Sequence, residues 1–156
     1  NLSQDDTPSA AVILHEIEHY PEADVICMLQ PTSPLRTHKH IDQCIQQFIK
    51  EEAQVMVSVS KDKHSPYWSF NLNQGFLKSL FPLEKINKRR QDLEETYALN
   101  GAIYLAKTSY FNEAKSFLTP ATKAYIMSHE TSIDIDDLSD FKEAERILKA
   151  KIYNER

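Results

Sequence analysis

Glycine is nearly missing from this 156-residue chain: Gly75 and Gly101 are the only two. Two isolated glycines cannot build a Gly-rich loop of the kind that wraps backbone N–H groups around phosphates. Cysteine is as sparse, with Cys27 in an apolar run and Cys44 on a helical pattern. Without a C-x-x-C spacing, neither a zinc framework nor a disulfide framework is expected. Two structural thiols suit a reducing compartment, and cytoplasm is the expected location. No apolar run approaches the ~20 residues of a bilayer span, so no membrane partner is expected. The opening residues NLSQDDTPSA lack the basic-then-apolar order of a secretory signal. A basic excess is lacking too: the formal charge of −5 argues against a general nucleic-acid coat. The chain also opens without methionine, on a polar stretch rather than on a first strand, so it is expected to be the later part of a longer protein.

What is present reads as one α/β domain over residues 1–156, long enough to bury a real core. Thr7-Pro8 suits an N-cap followed by proline at the first helical position, and Ala10, Ile13, Leu14 and Ile17 recur at helical spacing over 8–19. DVICML (24–29) is too short for a helix between its breakers, and its unbroken apolar character predicts a strand covered on both faces. Thr37 can cap a second helix striped by Ile41, Cys44, Ile45, Phe48 and Ile49, and QVMVSVS (54–60) follows as a Val-rich strand. This β–α–β order predicts a parallel pair. Residues 61–98 differ in kind: two short strands around Asn-Gln-Gly, then the basic EKINKRRQ, are expected to form an arm outside the core. GAIYLAK (101–107) returns to a buried strand, TSYFNEAK begins a short helix, AYIMS (124–128) is a strand, and a last helix starts near Ser139.

Three stretches carry chemistry. QPTSPLR follows the first strand, and ligands of open α/β sheets bind beyond strand carboxyl ends. Its prolines stiffen the backbone, leaving Gln30, Thr32 and Ser33 to present an amide and two hydroxyls to a base, a ribose or a sugar. The plainer alternative is a βα loop whose hydroxyls cap the next helix. In SIDIDD, Asp134 and Asp136 stand at i and i+2, which in an extended segment puts two carboxylates on one side, able to share a hard cation such as Mg²⁺. Asp137 and Asp140 suit the helix dipole instead. The cluster Lys85, Lys88, Arg89 and Arg90 reads mainly as a solvated face, from which one arginine could enter a cleft and take a carboxylate or phosphate. His15 and His19 sit at i, i+4 with no third metal ligand in evidence, which fits a helix surface.

LQPTSPLR, then RRQDLEETYALNGAIYL, then TKAYIMSHETSIDIDDLSDFKEAE together resemble the acylneuraminate cytidylyltransferases, or CMP-sialic acid synthetases, from LSQDDTP to the final helix. The resemblance implies a Rossmann-like, mostly parallel sheet flanked by helices, with a protruding arm at 61–98 that makes a homodimer. It implies transfer of CMP from CTP to the anomeric hydroxyl of a nonulosonic acid, with release of pyrophosphate. On this resemblance Gln30, Pro31, Thr32 and Ser33 lie at the junction of nucleotide and sugar, and Arg90 lies on the sugar side. Asn100 and Tyr104 belong to the NGAIY wall, and Asp134 and Asp136 are the catalytic, Mg²⁺-binding aspartates. Two positions depart from many sialic-acid enzymes: Ala98 stands where they carry arginine, and Trp68 where they carry lysine. Losing two cations beside the sugar implies a different nonulosonic acid, and YALNGAIYL resembles enzymes of legionaminic acid. The family's opening strand and its Arg/Gly/Ser/Lys-containing triphosphate loop are not among these residues, which predicts negligible turnover from the chain alone. Two competing expectations remain, a non-catalytic self-associating module and a metal-dependent glycosyltransferase.

Overall fold

The computed structural model describes residues 7–154. Residues 1–6, where the family resemblance begins, lie outside the described residues. In chain order the elements are α1 (Ser9–His19), β1 (Val25–Met28), α2 (His38–Lys50), β2 (Val55–Lys61), β3 (Phe70–Asn73), β4 (Phe76–Ser79), α3 (Leu83–Ile86), β5 (Tyr97–Lys107), α4 (Thr108–Ala114), β6 (Thr122–Met127) and α5 (Leu138–Asn154). Helix α1 starts one residue later than its N-cap signal predicts, because Pro8 keeps an extended ψ of 134° and no side chain caps the first turn. Thr37 caps α2 as expected, and its backbone N–H donates to His40 Nδ1 at 3.1 Å.

The main sheet has the order β1-β5-β2-β6. Strands β1, β2 and β6 run the same way, and β5 runs against both of its neighbours. Three of the four strands therefore share one direction while two of the three ladders are antiparallel, and β1 and β2 are not the adjacent pair that the β–α–β order predicts. The long β5 inserts between them. Strand β1 is also not covered on both faces, since it pairs only with β5 and leaves Val25, Cys27 and Leu29 exposed.

Helix α2 packs Cys44 and Phe48 on one face of the sheet against Met56, Ala102, Ile103, Leu105, Tyr125 and Met127. On the other face Ile13 of α1 and Phe111 of α4, with Phe117, cover Val55, Val57, Val59 and Ala106. The strand alternation drives this layering: Leu105 faces one cluster, and Tyr104 and Ala106 face the other. Strand β2 is buried along five consecutive residues because it is central and covered on both faces.

Residues 62–96 leave this sheet, whereas Lys61, Tyr97 and Ala98, expected in the arm, still pair in the main ladder. Strands β3 and β4 form a separate two-stranded sheet, joined by Gln74 and Gly75 at φ 48° and 84°. Two successive positive φ angles are what a tight two-residue hairpin turn of the favoured hand requires. Trp68 anchors the excursion by donating from Nε1 to Ile86 O at 3.1 Å.

Candidate active site

The site grows out of an irregularity in the central ladder. Strands β2 and β5 stay in register from Val55↔Ala106 to Val57↔Tyr104 and resume at Val59↔Leu99. Between those pairs one residue of β2, Ser58, faces four of β5, Asn100 to Ile103. Such a bulge costs ladder hydrogen bonds and re-aims the strand. Gly101, at φ 70°, is the residue that lets the chain turn there.

Four backbone groups in the bulge find side-chain partners. Ile103 N–H donates to Ser58 Oγ at 2.7 Å, and Ala102 N–H donates to Asn100 Oδ1 at 3.2 Å. The Asn100 carbonyl accepts from Ser33 Oγ at 3.2 Å. The Ala102 carbonyl accepts from Arg36 Nη1 at 2.7 Å, and the same nitrogen donates to Gln30 O at 3.0 Å. PTSPLR is thus a loop stiffened by prolines that delivers one hydroxyl and one guanidinium to the bulge. Buried polar groups demand such partners, and here the loop supplies them. Ser33 is consequently buried inside the protein, whereas Pro31 and Thr32 are exposed and Gln30 is half-buried.

The acidic segment docks on that loop. Ile135 N–H donates to Thr32 O at 2.9 Å, and this bond sets residues 133–135 beside the strand exit without making them part of the ladder. A Cβ on Gly101 would collide with Gln30 Oε1 and come within 2.9 Å of Asp134 Oδ2. Gln30, Gly101 and Asp134 therefore converge on one spot. Asp134 Oδ1 is buried and has no hydrogen-bond partner. Tyr104 belongs to the same neighbourhood: burial first, and then the negative charge of Asp134, push its hydroxyl above the usual tyrosine range. Gln30 and Tyr104 also line a cavity of about 280 Å³ with Leu99, Lys115 and Phe117.

Other expected residues are placed differently. Asn100 is 3% exposed, and its amide is engaged from both ends, Oδ1 by Ser58 and Ala102 and Nδ2 by Ser132 Oγ at 2.9 Å. Asp136 is exposed, and its backbone N–H donates to Asp140 Oδ2 at 3.1 Å. Asp137 and Asp140 do serve the helix start. Asp137 Oδ1 accepts from Ser139 N at 2.6 Å and Asp140 N at 3.1 Å, and Asp140 Oδ2 accepts from Asp137 N at 3.2 Å. The Ser139 hydroxyl, with these two amides, holds the Asp137 carboxyl below its ordinary value. Arg90 lies on the arm, where Nη2 donates to Lys63 O at 2.7 Å beside a separate cavity of about 280 Å³ lined also by Lys61, Ser65 and Gln91. Its hydrogen bond thus ties it to the arm and not to Gln30 or Asp134. The His15 and His19 rings, 4.3 Å apart, are on the exposed face of α1.

Sequence reasoning missed Ser58, Ser132 and the structural duty of Arg36. Ser58 in VMVSVS was the available signal, a single hydroxyl within a Val-rich central strand that has to find a partner inside the core.

Among the described residues no group of three or more His, Cys, Asp or Glu is placed to hold a metal ion. The oxygen set is smaller: the Asp134 carboxylate, with Oδ1 buried and unpartnered, and the Gln30 amide oxygen, which faces the same space over Gly101 as Asp134 Oδ2. Hard oxygen donors in that number suit a cation that keeps much of its water, as Mg²⁺ does. Fold and site together define a three-layer α/β domain in which Gln30, Asn100 and Asp134 gather around Gly101 at the β5 bulge.

Comparison with known proteins narrows that class. No family model matches the chain. The N-acylneuraminate cytidylyltransferase of Streptococcus agalactiae is 32% identical over 141 residues, which is 90% of this chain and 34% of that protein. The Escherichia coli enzyme of the same name is 32% identical over 151 residues, 96% of this chain and 36% of its own length. The CMP-N,N'-diacetyllegionaminic acid synthase of Legionella pneumophila is 34% identical over 136 residues, 81% of this chain and 54% of that protein. The chain thus spans about a third to a half of the length of these relatives. These matches run along 81% to 96% of this chain, which is thus similar to a segment of the acylneuraminate cytidylyltransferases.

Proposed function

We propose that this chain is the sugar-side and metal-side portion of a cytidylyltransferase that joins CTP to the anomeric hydroxyl of a nonulosonic acid. The observation that carries the proposal is the Asp134 carboxylate, whose Oδ1 is buried and unpartnered and whose Oδ2 shares the space over Gly101 with Gln30 Oε1, in a sequence that matches enzymes of that name. In the reaction, the sugar hydroxyl oxygen bonds to the α-phosphorus of CTP, the bond to the β-phosphate oxygen breaks, and pyrophosphate leaves. Mg²⁺, when bound, would offset charge on the phosphates, as it does in phosphoryl transfer generally.

The residues of the chain divide the remaining work. Asp134 and Asp136 would hold the ion, with Gln30 Oε1 completing the oxygen face. Asp134 Oδ1 would take the proton from the attacking hydroxyl, since it is the acceptor left open there. Tyr104, whose hydroxyl is pushed above the usual tyrosine range by burial and then by the charge of Asp134, would be a donor near the same spot. Gln30, Pro31, Thr32 and Ser33 form the nucleotide–sugar junction, Ser33 from beneath by fixing the Asn100 carbonyl. Asn100 and Tyr104 form the wall, and Arg90 offers the sugar carboxylate a planar pair of donors from the arm. Ala98 and Trp68, with the resemblance to the Legionella synthase, favour a legionaminic-type acid over neuraminic acid.

The arm would pair two copies. Phe70, Leu72 and Leu77 share one face of the β3–β4 hairpin, and Leu72 and Leu77 are 74% and 69% exposed. An apolar face of that kind is usually an interface. Two free cysteines accord with a cytoplasmic location, and no helix among the described residues is long and apolar enough to cross a membrane.

The test is a pyrophosphate-release assay with CTP and a panel of neuraminic, legionaminic and pseudaminic acids, run on a full-length polypeptide containing this segment and on the 156-residue chain alone. Sugar-dependent release from the former and negligible release from the latter are expected. Asp134→Asn should lower kcat by roughly 10²-fold or more, the scale of a lost general base. Near-normal turnover of that variant at saturating Mg²⁺ would refute the role given to Asp134.

A further inference from the structure

We infer that Ser132 is a positioning residue for Asp134, strapping the acidic segment to the β5 bulge through the buried amide of Asn100. The inference rests on the metal-site reading above for its consequence, but not for its geometry.

The geometry is a polarised chain of hydrogen bonds. Ile103 N–H donates to Ser58 Oγ at 2.7 Å, so the Ser58 proton is directed to Asn100 Oδ1 at 2.6 Å. Ala102 N–H also points at that oxygen, at 3.2 Å. Two donors on one end fix the amide, because a flipped Asn100 would set N–H against N–H. Its Nδ2 must then face outward, and it donates to Ser132 Oγ at 2.9 Å. Ser132 passes its own proton to Ser128 O at 2.7 Å, closing the turn that precedes the acidic segment. Ser132 stands two residues before Asp134. On the far side of Asp134, Ile135 N–H is held by Thr32 O.

Asp134 is therefore pinned on both flanks, one pin running to the bulge and the other to the strand-exit loop. Neither pin touches the carboxylate, whose Oδ1 stays unpartnered. A carboxylate oxygen kept buried and free of protein donors has to be held in place by its backbone. Ser132 supplies that restraint while leaving the oxygen open. Outer groups that orient a ligand in this way commonly cost 10- to 100-fold in metal affinity when removed.

The experiment uses the ¹⁵N-labelled 156-residue chain, with Ser132→Ala and Ser132→Thr, and two readouts. Amide exchange of Ile135, the pin on the other flank of Asp134, reports whether the segment stays seated once the Ser132 strap is cut. Ser132→Ala should raise it on the order of tenfold or more while amides of β2 keep their protection, and Ser132→Thr should restore it. Titration with Mn²⁺, read by calorimetry and compared with Asp134→Ala, should show Ser132→Ala weakening binding by roughly 10-fold or more, and the threonine variant recovering it. Parent-like exchange at Ile135 in Ser132→Ala overturns the inference. Failure of the parent chain to bind Mn²⁺ in an Asp134-dependent way overturns the metal reading instead, and the exchange arm then decides the strap alone.

Discussion

Gly101 has no side chain because two other residues occupy the place its Cβ would take. A methyl there meets Gln30 Oε1 and the Asp134 carboxylate, on a backbone at φ 70° that disfavours any L side chain. Gly101→Ala should lower the unfolding free energy by about 1–2 kcal/mol or more in urea titrations, from the conformational cost alone. It should also displace Gln30 and Asp134 from each other, so that Mn²⁺ affinity falls with stability. Gly75 provides the control. It has a similar φ of 84°, but nothing lies within 4 Å of its missing Cβ. Gly75→Ala should cost stability of the hairpin and leave the metal affinity untouched.

Cys44 makes a second residue-scale case. Burial, and then the neighbouring Cys27, push its thiol from an ordinary 9.0 up to about 12. The folded state thus keeps a proton that the unfolded chain releases above pH 9. The resulting stabilisation is complete below that pH and drains away as pH rises from 9 toward 12. Unfolding titrations across this window should show the parent losing stability faster than Cys44→Ala. At pH 8 the thiol should react with iodoacetamide far more slowly in the folded chain than in urea.

At the scale of elements, the start of α5 separates two kinds of aspartate that look alike in SIDIDD. Asp137 caps the helix, and its carboxyl is held below the ordinary 3.8 by the Ser139 hydroxyl and by two backbone N–H groups. A lowered carboxyl pKa stabilises the fold above 3.8, and that stabilisation disappears as pH falls through the folded value. Circular dichroism should show α5 fraying in acid in the parent, and already frayed at neutral pH in Asp137→Ala. Asp134 makes no such cap. Assigning Asp137 and Asp140 to the helix required only the rule that acids at a helix start serve its N-terminus. The bulge was another matter. VMVSVS and LNGAIYL each read as plain strands, and only their pairing shows that Ser58 faces four residues.

At the scale of the whole molecule, the arm poses the question of assembly. If its apolar face pairs with a second copy, Leu72→Lys combined with Leu77→Lys should convert the chain to a monomer in sedimentation experiments. The two residues oppose each other across the hairpin, so the change puts like charges on both sides of one contact without touching the main sheet. A mass unchanged from the parent would show that the pairing surface lies elsewhere.

Local signals in the chain were enough to determine the succession of the longer helices and of the strands, the hairpin turn at Gln74-Gly75, the cap of α2 by Thr37, and the strings that mark its relatives. Each depends on neighbours within a few residues, where periodicity, proline and glycine act directly. Three things were decided only by tertiary structure: the insertion of β5 between β1 and β2, the bulge opposite Ser58, and the retreat of Ser33 and Asn100 into the protein to satisfy it. Those outcomes depend on which backbone groups lose their partners once strands from distant parts of the chain are paired, and no local pattern records that.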